Sequence, residues 1–169
     1  MKRLEQRFFE RDVLNVAPEL IGKYLIRNKN GQPERFMITE VEAYRGVDDL
    51  ACHASKGSTA RTEIMYASGG FIYVYLIYGM YWMLNFVTGK KNEPQAALIR
   101  GVEKISGPGK LTKQLNIDKS FYGESITASD RLWVEEGAQK VKYKTTPRIG
   151  VDYSGDIWKN KPWRFVIVL

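Results

Sequence analysis

The stretch "RFMITEVEAY", residues 35–44, sets two carboxylates, Glu40 and Glu42, two positions apart. Strand side chains two apart share a face. Alternation therefore predicts Phe36, Ile38, Glu40, Glu42 and Tyr44 on one side, and Met37, Thr39, Val41 and Ala43 on the other. A carboxylate among aromatic and apolar groups resists ionisation and suits general-base work. The two acids can share a proton or divide two roles. Taken alone, Glu42 also fits an exposed strand edge or a structural ion pair. His53, the only histidine, leaves acid–base work or recognition and excludes a His-rich metal centre, although a lone loop histidine is often incidental. The single cysteine, Cys52, excludes an internal disulfide, a multi-cysteine zinc site and the zinc deaminase pattern, which needs two close cysteines. No serine sits in a nucleophile-elbow pattern.

A second group of residues points to binding. "YVYLIYGMYWMLN", residues 73–85, reads as two apolar strands joined at Tyr78-Gly79. Hairpin tips ordinarily pair Gly with Asn or Asp, whereas Tyr78, Met80 and Tyr81 place large side chains where solvent is expected. Alternating aromatics in a hairpin are usually core, which suits Tyr73 and Trp82 but not Tyr78. "SGPGK", residues 106–110, lacks the full Walker spacing. It still reads as a glycine-rich turn opening a helix, with Lys110 and Lys113 in the first turn, suited to a polynucleotide phosphate.

The elements that must position these groups follow from patterning. Asp12 is placed to cap a helix carrying Leu14, Ala17 and Leu20, "KYLIR" reads as a strand, and "KNGQP" is a turn into the strand bearing Glu42. Residues 45–70, rich in Gly, Ser, Thr and Asp, form a long loop with one helical turn at most, and loops of that length in a compact domain usually carry function. Strands are expected at "AALIRGVE" and, buried, at the C-terminal "RFVIVL". The result is a mixed α/β fold, one compact domain over 1–169, built on a largely antiparallel curved sheet with surrounding helices and a protruding hairpin. The formal charge is +7; residues 1–50 hold nine basic and nine acidic side chains, so the excess lies in residues 51–169. That asymmetry suits a polyanion, nucleic acid first of all, and also fits solubilising surface charge. The run Phe71–Val87 is the one membrane candidate, but it is short and broken by Gly79 and Asn85. With no signal-peptide pattern at the start, a cytoplasmic location is expected.

"ITEVEAY", His53 eleven positions after Glu42, "YVYLIYGMYWMLN", "LIRGVE", "SGPGKLTKQLNI" and "TPRIGVDY" occur in an order that resembles the 3-methyladenine DNA glycosylases of the alkyladenine (methylpurine) type, from about Phe8 onward. The resemblance implies a base-excision repair enzyme that flips a damaged purine out of the duplex, hydrolyses its N-glycosidic bond and leaves an abasic site. It implies Glu42 as the general base for the attacking water and Arg100 as the group holding that water and a phosphate. Tyr44, Tyr75 and His53 are implied to sandwich the base, the Ala51 carbonyl to meet its edge, and Asn85 to narrow the pocket against the exocyclic amino group of guanine. Tyr78 is implied as a minor-groove wedge, with Met80, Tyr81, Lys110 and Arg148 on the DNA. Ala60 stands where relatives often have proline, and Cys52 where a small or polar residue is usual; neither departure removes a chemical group. The resemblance also implies no metal or organic cofactor, double-stranded DNA with damaged purines as partner, a monomer, and association with the nucleoid. A silent nucleic-acid-binding module is the alternative, and it would leave Glu42, His53 and Arg100 unused.

Overall fold

In the computed structural model, which describes residues 1–137 and 139–169, short helices α1 (Gln6–Phe9) and α2 (Val13–Leu20) lead into strands β1 (Tyr24–Lys29) and β2 (Gln32–Arg45). The hairpin β3 (Ile72–Ile77) and β4 (Tyr81–Thr88) follows, then β5 (Gln95–Val102), β6 (Ile105–Ser106) and helix α3 (Pro108–Gln114). The chain continues through β7 (Leu132–Glu135), β8 (Lys142–Thr146), α4 (Gly155–Lys159) and β9 (Arg164–Val168). The sheet runs β3-β4-β5-β2-β1-β7, with β9 beside β2 and β8 beside β9. Every ladder is antiparallel, as the mixed α/β expectation required. Among the described residues no helix is long and apolar enough to cross a membrane.

Local chemistry accounts for several boundaries. Asp12 caps α2 as expected, its carboxylate accepting the Leu14 N–H at 2.9 Å. The β1–β2 turn uses left-handed Asn30 and Gly31, the pairing that matches the twist of the flanking strands. The 45–70 segment holds two short 3₁₀ turns, His53–Lys56 and Glu63–Tyr66, rather than one helical turn. Lys110 stands in the first turn of α3 but Lys113 in its last.

β2 departs from strict alternation. Its first half pairs with β1; its second half lies between β5 and β9, and the register shifts between Ile38 and Val41. An irregularity of this kind adds a residue and turns the side chains that follow. Ile38 therefore joins Val41 and Ala43 in the core, a correction to the face predicted for it, while Glu40, Glu42 and Tyr44 point the other way. Across the sheet the core face continues through Ala97, Ile99, Leu84, Phe86, Ile72 and Val74. Burying each large apolar side chain contributes about 1.5–3 kcal/mol, so this face fixes the register of the opposite one. The final strand is less buried than expected: in β9 only Phe165 is buried, because β9 covers the margin of the sheet rather than its middle.

Candidate active site

The second face of the sheet carries the polar and aromatic groups. Glu42 pairs with Leu98, Leu98 with Asn85 and Asn85 with Tyr73, one row across four strands. Tyr44 pairs with Ala96 in the next row, and Arg100 follows Leu98 on the same face of β5. The 45–70 segment folds over this surface with its own small core of Cys52, Ala54, Met65, Tyr73, Val87 and Ala96. Between sheet, segment and the 149–153 turn lies a cavity of about 520 Å³. Tyr44, Ala51, His53, Tyr75, Tyr78, Asn85 and Arg100 all line it.

Glu42 lies just behind that lining, with no solvent exposure. Its Oε2 accepts the Tyr44 hydroxyl at 2.6 Å and its Oε1 the Ile149 N–H at 2.7 Å, while Arg100 Nε stands 3.5 Å from Oε1. All three of these neighbours reach the cavity, and hydrogen bonds take two of the carboxylate's about four acceptor positions, so room remains for a further donor. Desolvation raises the Glu42 pKa, opposed by Arg100 and the two hydrogen bonds. Glu40 is not its proton-sharing twin. Its Oε1 accepts from Arg100 Nε at 3.0 Å and from Arg164 Nε at 2.6 Å. The two acids thus divide: Glu40 anchors Arg100, and Arg100 faces Glu42.

The aromatic walls are built differently on each side. The His53 and Tyr75 rings meet edge to face at 4.5 Å, and His53 Nδ1 lies 2.8 Å from the Tyr73 hydroxyl. Burial, then Arg61 and Lys56, lower the His53 pKa to about 4, so the ring is neutral at physiological pH. Tyr44 is backed on one face by the Arg148 guanidinium, 4.9 Å from the ring centroid. Desolvation, then the Glu42 charge, raises its pKa well above 10. Asn85 is buried, and its Nδ2 donates to the Tyr73 carbonyl at 3.2 Å.

Of the five expected DNA contacts, Tyr78 reaches the cavity lining, and Met80, Tyr81, Lys110 and Arg148 lie outside it. Tyr78 and Met80 are 84% and 64% exposed, as a projecting tip demands. Tyr81 leans on α3, where a Cβ at Gly109 would come within 2.8 Å of its ring; a second brace is the Thr112 hydroxyl, which donates to the Trp82 carbonyl at 2.8 Å. Lys110 is exposed beside this brace. Arg148 is a correction. Its side chain has no solvent exposure and grips Asp49 at 2.6 and 2.9 Å, with further donation to the Ala43 and Trp158 carbonyls. A cation so enclosed cannot meet a phosphate; it ties the 45–70 segment to the 149–153 turn. Sequence reasoning also missed Arg61, whose guanidinium lies 5.0 Å over Tyr75, and Tyr153, whose hydroxyl donates to the Ala51 carbonyl at 3.0 Å. The "YSGD" setting of Tyr153 reads only as a turn.

A second hollow, of about 470 Å³ near Arg27, Lys29 and Arg131, differs in kind. There Arg27 is engaged by the Leu115, Asn28 and Arg131 carbonyls. The buried Glu42, its pKa raised by desolvation, stands behind the first cavity, which makes that one the candidate active site.

The chain matches the family described as Methylpurine-DNA glycosylase (MPG) over residues 7–107 and 102–168. Relatives named "Putative 3-methyladenine DNA glycosylase" include one from Rickettsia felis, 46% identical over 97% of this chain and 92% of its own. Another, from Methanocella arvoryzae, is 43% identical over 98% of this chain and 92% of its own. A third, from Natranaerobius thermophilus, is 39% identical over 98% and 95%. With matches that span nearly the whole chain and reach every strand around the cavity, this protein belongs to the methylpurine-DNA glycosylase family and is a DNA glycosylase.

Proposed function

We propose that this DNA glycosylase acts alone on duplex DNA, as a monomer associated with the nucleoid, releasing alkylated purines of the 3-methyladenine type and hypoxanthine. The observation that carries the reading is the buried Glu42 carboxylate, its pKa raised by desolvation, held by Tyr44 and Ile149 immediately behind an aromatic-walled cavity. The damaged nucleotide turns out of the stack so that its glycosidic carbon can be reached. The base enters between Tyr44 and the His53–Tyr75 wall, where ring faces attract a cationic purine and the neutral His53 does not repel it. The Ala51 carbonyl meets the base edge, and Asn85 crowds the position of a 2-amino group.

A water between Arg100 and Glu42 then attacks C1′. Its oxygen forms the new bond to that carbon, and the C1′–N9 electron pair leaves with the purine. One water proton passes to Glu42. An alkylated purine that was cationic departs neutral, so it needs no added proton; hypoxanthine, neutral in the duplex, departs as its N9 anion and takes up one proton from solvent, and Glu42 later gives its proton back to solvent. Tyr78 fills the gap left in the duplex, on a hairpin held rigid by α3. Neither a metal nor an organic cofactor is needed for these steps. Lys110 and neighbouring basic residues neutralise phosphates.

The test is incubation with duplexes each carrying one defined lesion, followed by alkaline cleavage. Strand scission after alkali alone is the expected result. Scission without alkali would show lyase chemistry, and no scission from any lesion would leave a binding module.

A further inference from the structure

Tyr153 is a large aromatic residue that is 69% exposed, yet its hydroxyl ends inside the cavity on the Ala51 carbonyl, 3.0 Å away. The two partners differ in freedom. Ala51 is 2% exposed, and its N–H is held by Asp49 Oδ1 at 3.1 Å; Asp49 in turn is locked by Arg148. The acceptor is therefore fixed. Tyr153 stands in the short turn Asp152–Ser154, anchored by Ser154, whose hydroxyl donates to the Val151 carbonyl at 2.5 Å. Its backbone is held, while its ring has solvent on most sides and is free to swing.

We infer that Tyr153 is a specificity-determining residue that lets one pocket edge accept both 6-amino and 6-oxo purines. This rests on the reading that the cavity receives a flipped purine with its edge at Ala51. A carbonyl oxygen carries two lone pairs. With one taken by Tyr153, the second and the phenol oxygen itself both face the cavity as acceptors, which suits an exocyclic amino group. A bare carbonyl would instead repel a 6-oxo group. When the Tyr153 side chain turns away from Ala51, its O–H becomes a donor to the 6-oxo oxygen, and the freed Ala51 carbonyl accepts the N1–H that a 6-oxo purine carries, without any movement of the backbone. Phenylalanine at this position keeps the ring and the acceptor carbonyl but loses the reversible donor.

The experiment compares wild type with Tyr153→Phe on matched duplexes carrying hypoxanthine, a 6-oxo base, or 3-methyladenine, a 6-amino base. Single-turnover excision of both is measured in each preparation, so their ratio is independent of the fraction of active protein. The expected result is a hypoxanthine-to-3-methyladenine ratio lower by roughly threefold to tenfold in the variant, the value of one neutral hydrogen bond. A ratio within twofold of wild type, or equal losses on both lesions, overturns the inference. So does a wild type that releases 3-methyladenine but no 6-oxo purine, tested also with 7-methylguanine. A wild type that releases none of these bases overturns the purine-pocket reading itself.

Discussion

Tyr78→Asn should make the protein more stable and a poorer enzyme. Tyr78 and Gly79 have φ of 53° and 65°, the left-handed pair that a tight hairpin turn requires, and the Met80 N–H closes the turn on the Ile77 carbonyl at 3.1 Å. An ordinary side chain in that region costs roughly 1–2 kcal/mol, whereas Asn-Gly is the favoured pair. Since Tyr78 is 84% exposed, little packing is lost, and recovering on the order of 1 kcal/mol of strain raises Tm by about 2–4 °C in a chain of this length. On DNA the balance reverses. Stacking of an aromatic side chain against a base contributes about 1–3 kcal/mol, so its loss slows excision of a well-paired lesion roughly fivefold to 150-fold. Lesions opposite a mismatch, already easy to extrude, should lose much less. Thermal melting and single-turnover excision of one lesion in both pairing contexts check both halves. A Tm lowered by several degrees, with equal losses in both contexts, would show that the ring supports the fold and does not enter DNA.

Glu42→Gln should lower single-turnover excision by at least about a hundredfold, the scale of general-base catalysis, with little change in lesion-DNA binding, and Glu40→Gln should be milder; excision by Glu42→Gln within threefold of wild type would refute the role. Because the folded pKa of Glu42 is raised, the acid limb of the excision profile should lie above the ordinary carboxylate range. By linkage, its stabilising effect is present at low pH and lost as pH rises through that raised value, so the Tm of Glu42→Gln should gain on wild type as pH rises from the ordinary carboxylate range through the raised pKa, and a constant difference would contradict the burial. Arg148→Gln leaves Asp49 buried and unpaired and should cost about 3–5 kcal/mol of stability by denaturant unfolding, without changing the salt dependence of DNA binding. Lys110→Ala should do the opposite, reducing the slope of log affinity against log salt by about 0.9 with an unchanged Tm, and an identical slope would remove Lys110 from the phosphate contacts.

How far the sequence could be read depended on the range of the interaction. The Asp12 cap, the Asn30-Gly31 turn and the Tyr78-Gly79 tip are fixed by groups a few residues apart, and each was visible as such. Glu42 and Tyr44 were visible as face partners because both follow the irregularity in β2; Ile38 precedes it, so plain alternation put it on the wrong side. Arg148 could not be read, since the partner that buries it, Asp49, lies 99 residues earlier, and an arginine after a proline looks like any surface cation until that partner is known. Tyr153 was hidden for the same reason: its contact with Ala51 spans 102 residues. Lys113 was misplaced by less than one turn of α3, because helical phase depends on where Gly107 hands over to Pro108.

The hydrogen bond from Ile149 to Glu42 also bears on biosynthesis. It joins residues 107 positions apart, and β9, which flanks the same segment of β2, is made later still. While a ribosome holds the chain short of this point, Glu42 lacks its backbone donor and β2 lacks a neighbour on one side. A chain that stops there already contains the hairpin sequence and much of the positive charge. In the proposed mechanism, hydrolysis therefore waits until residue 149 has been made, and a product that ends before it would lack the donor that holds Glu42 in place.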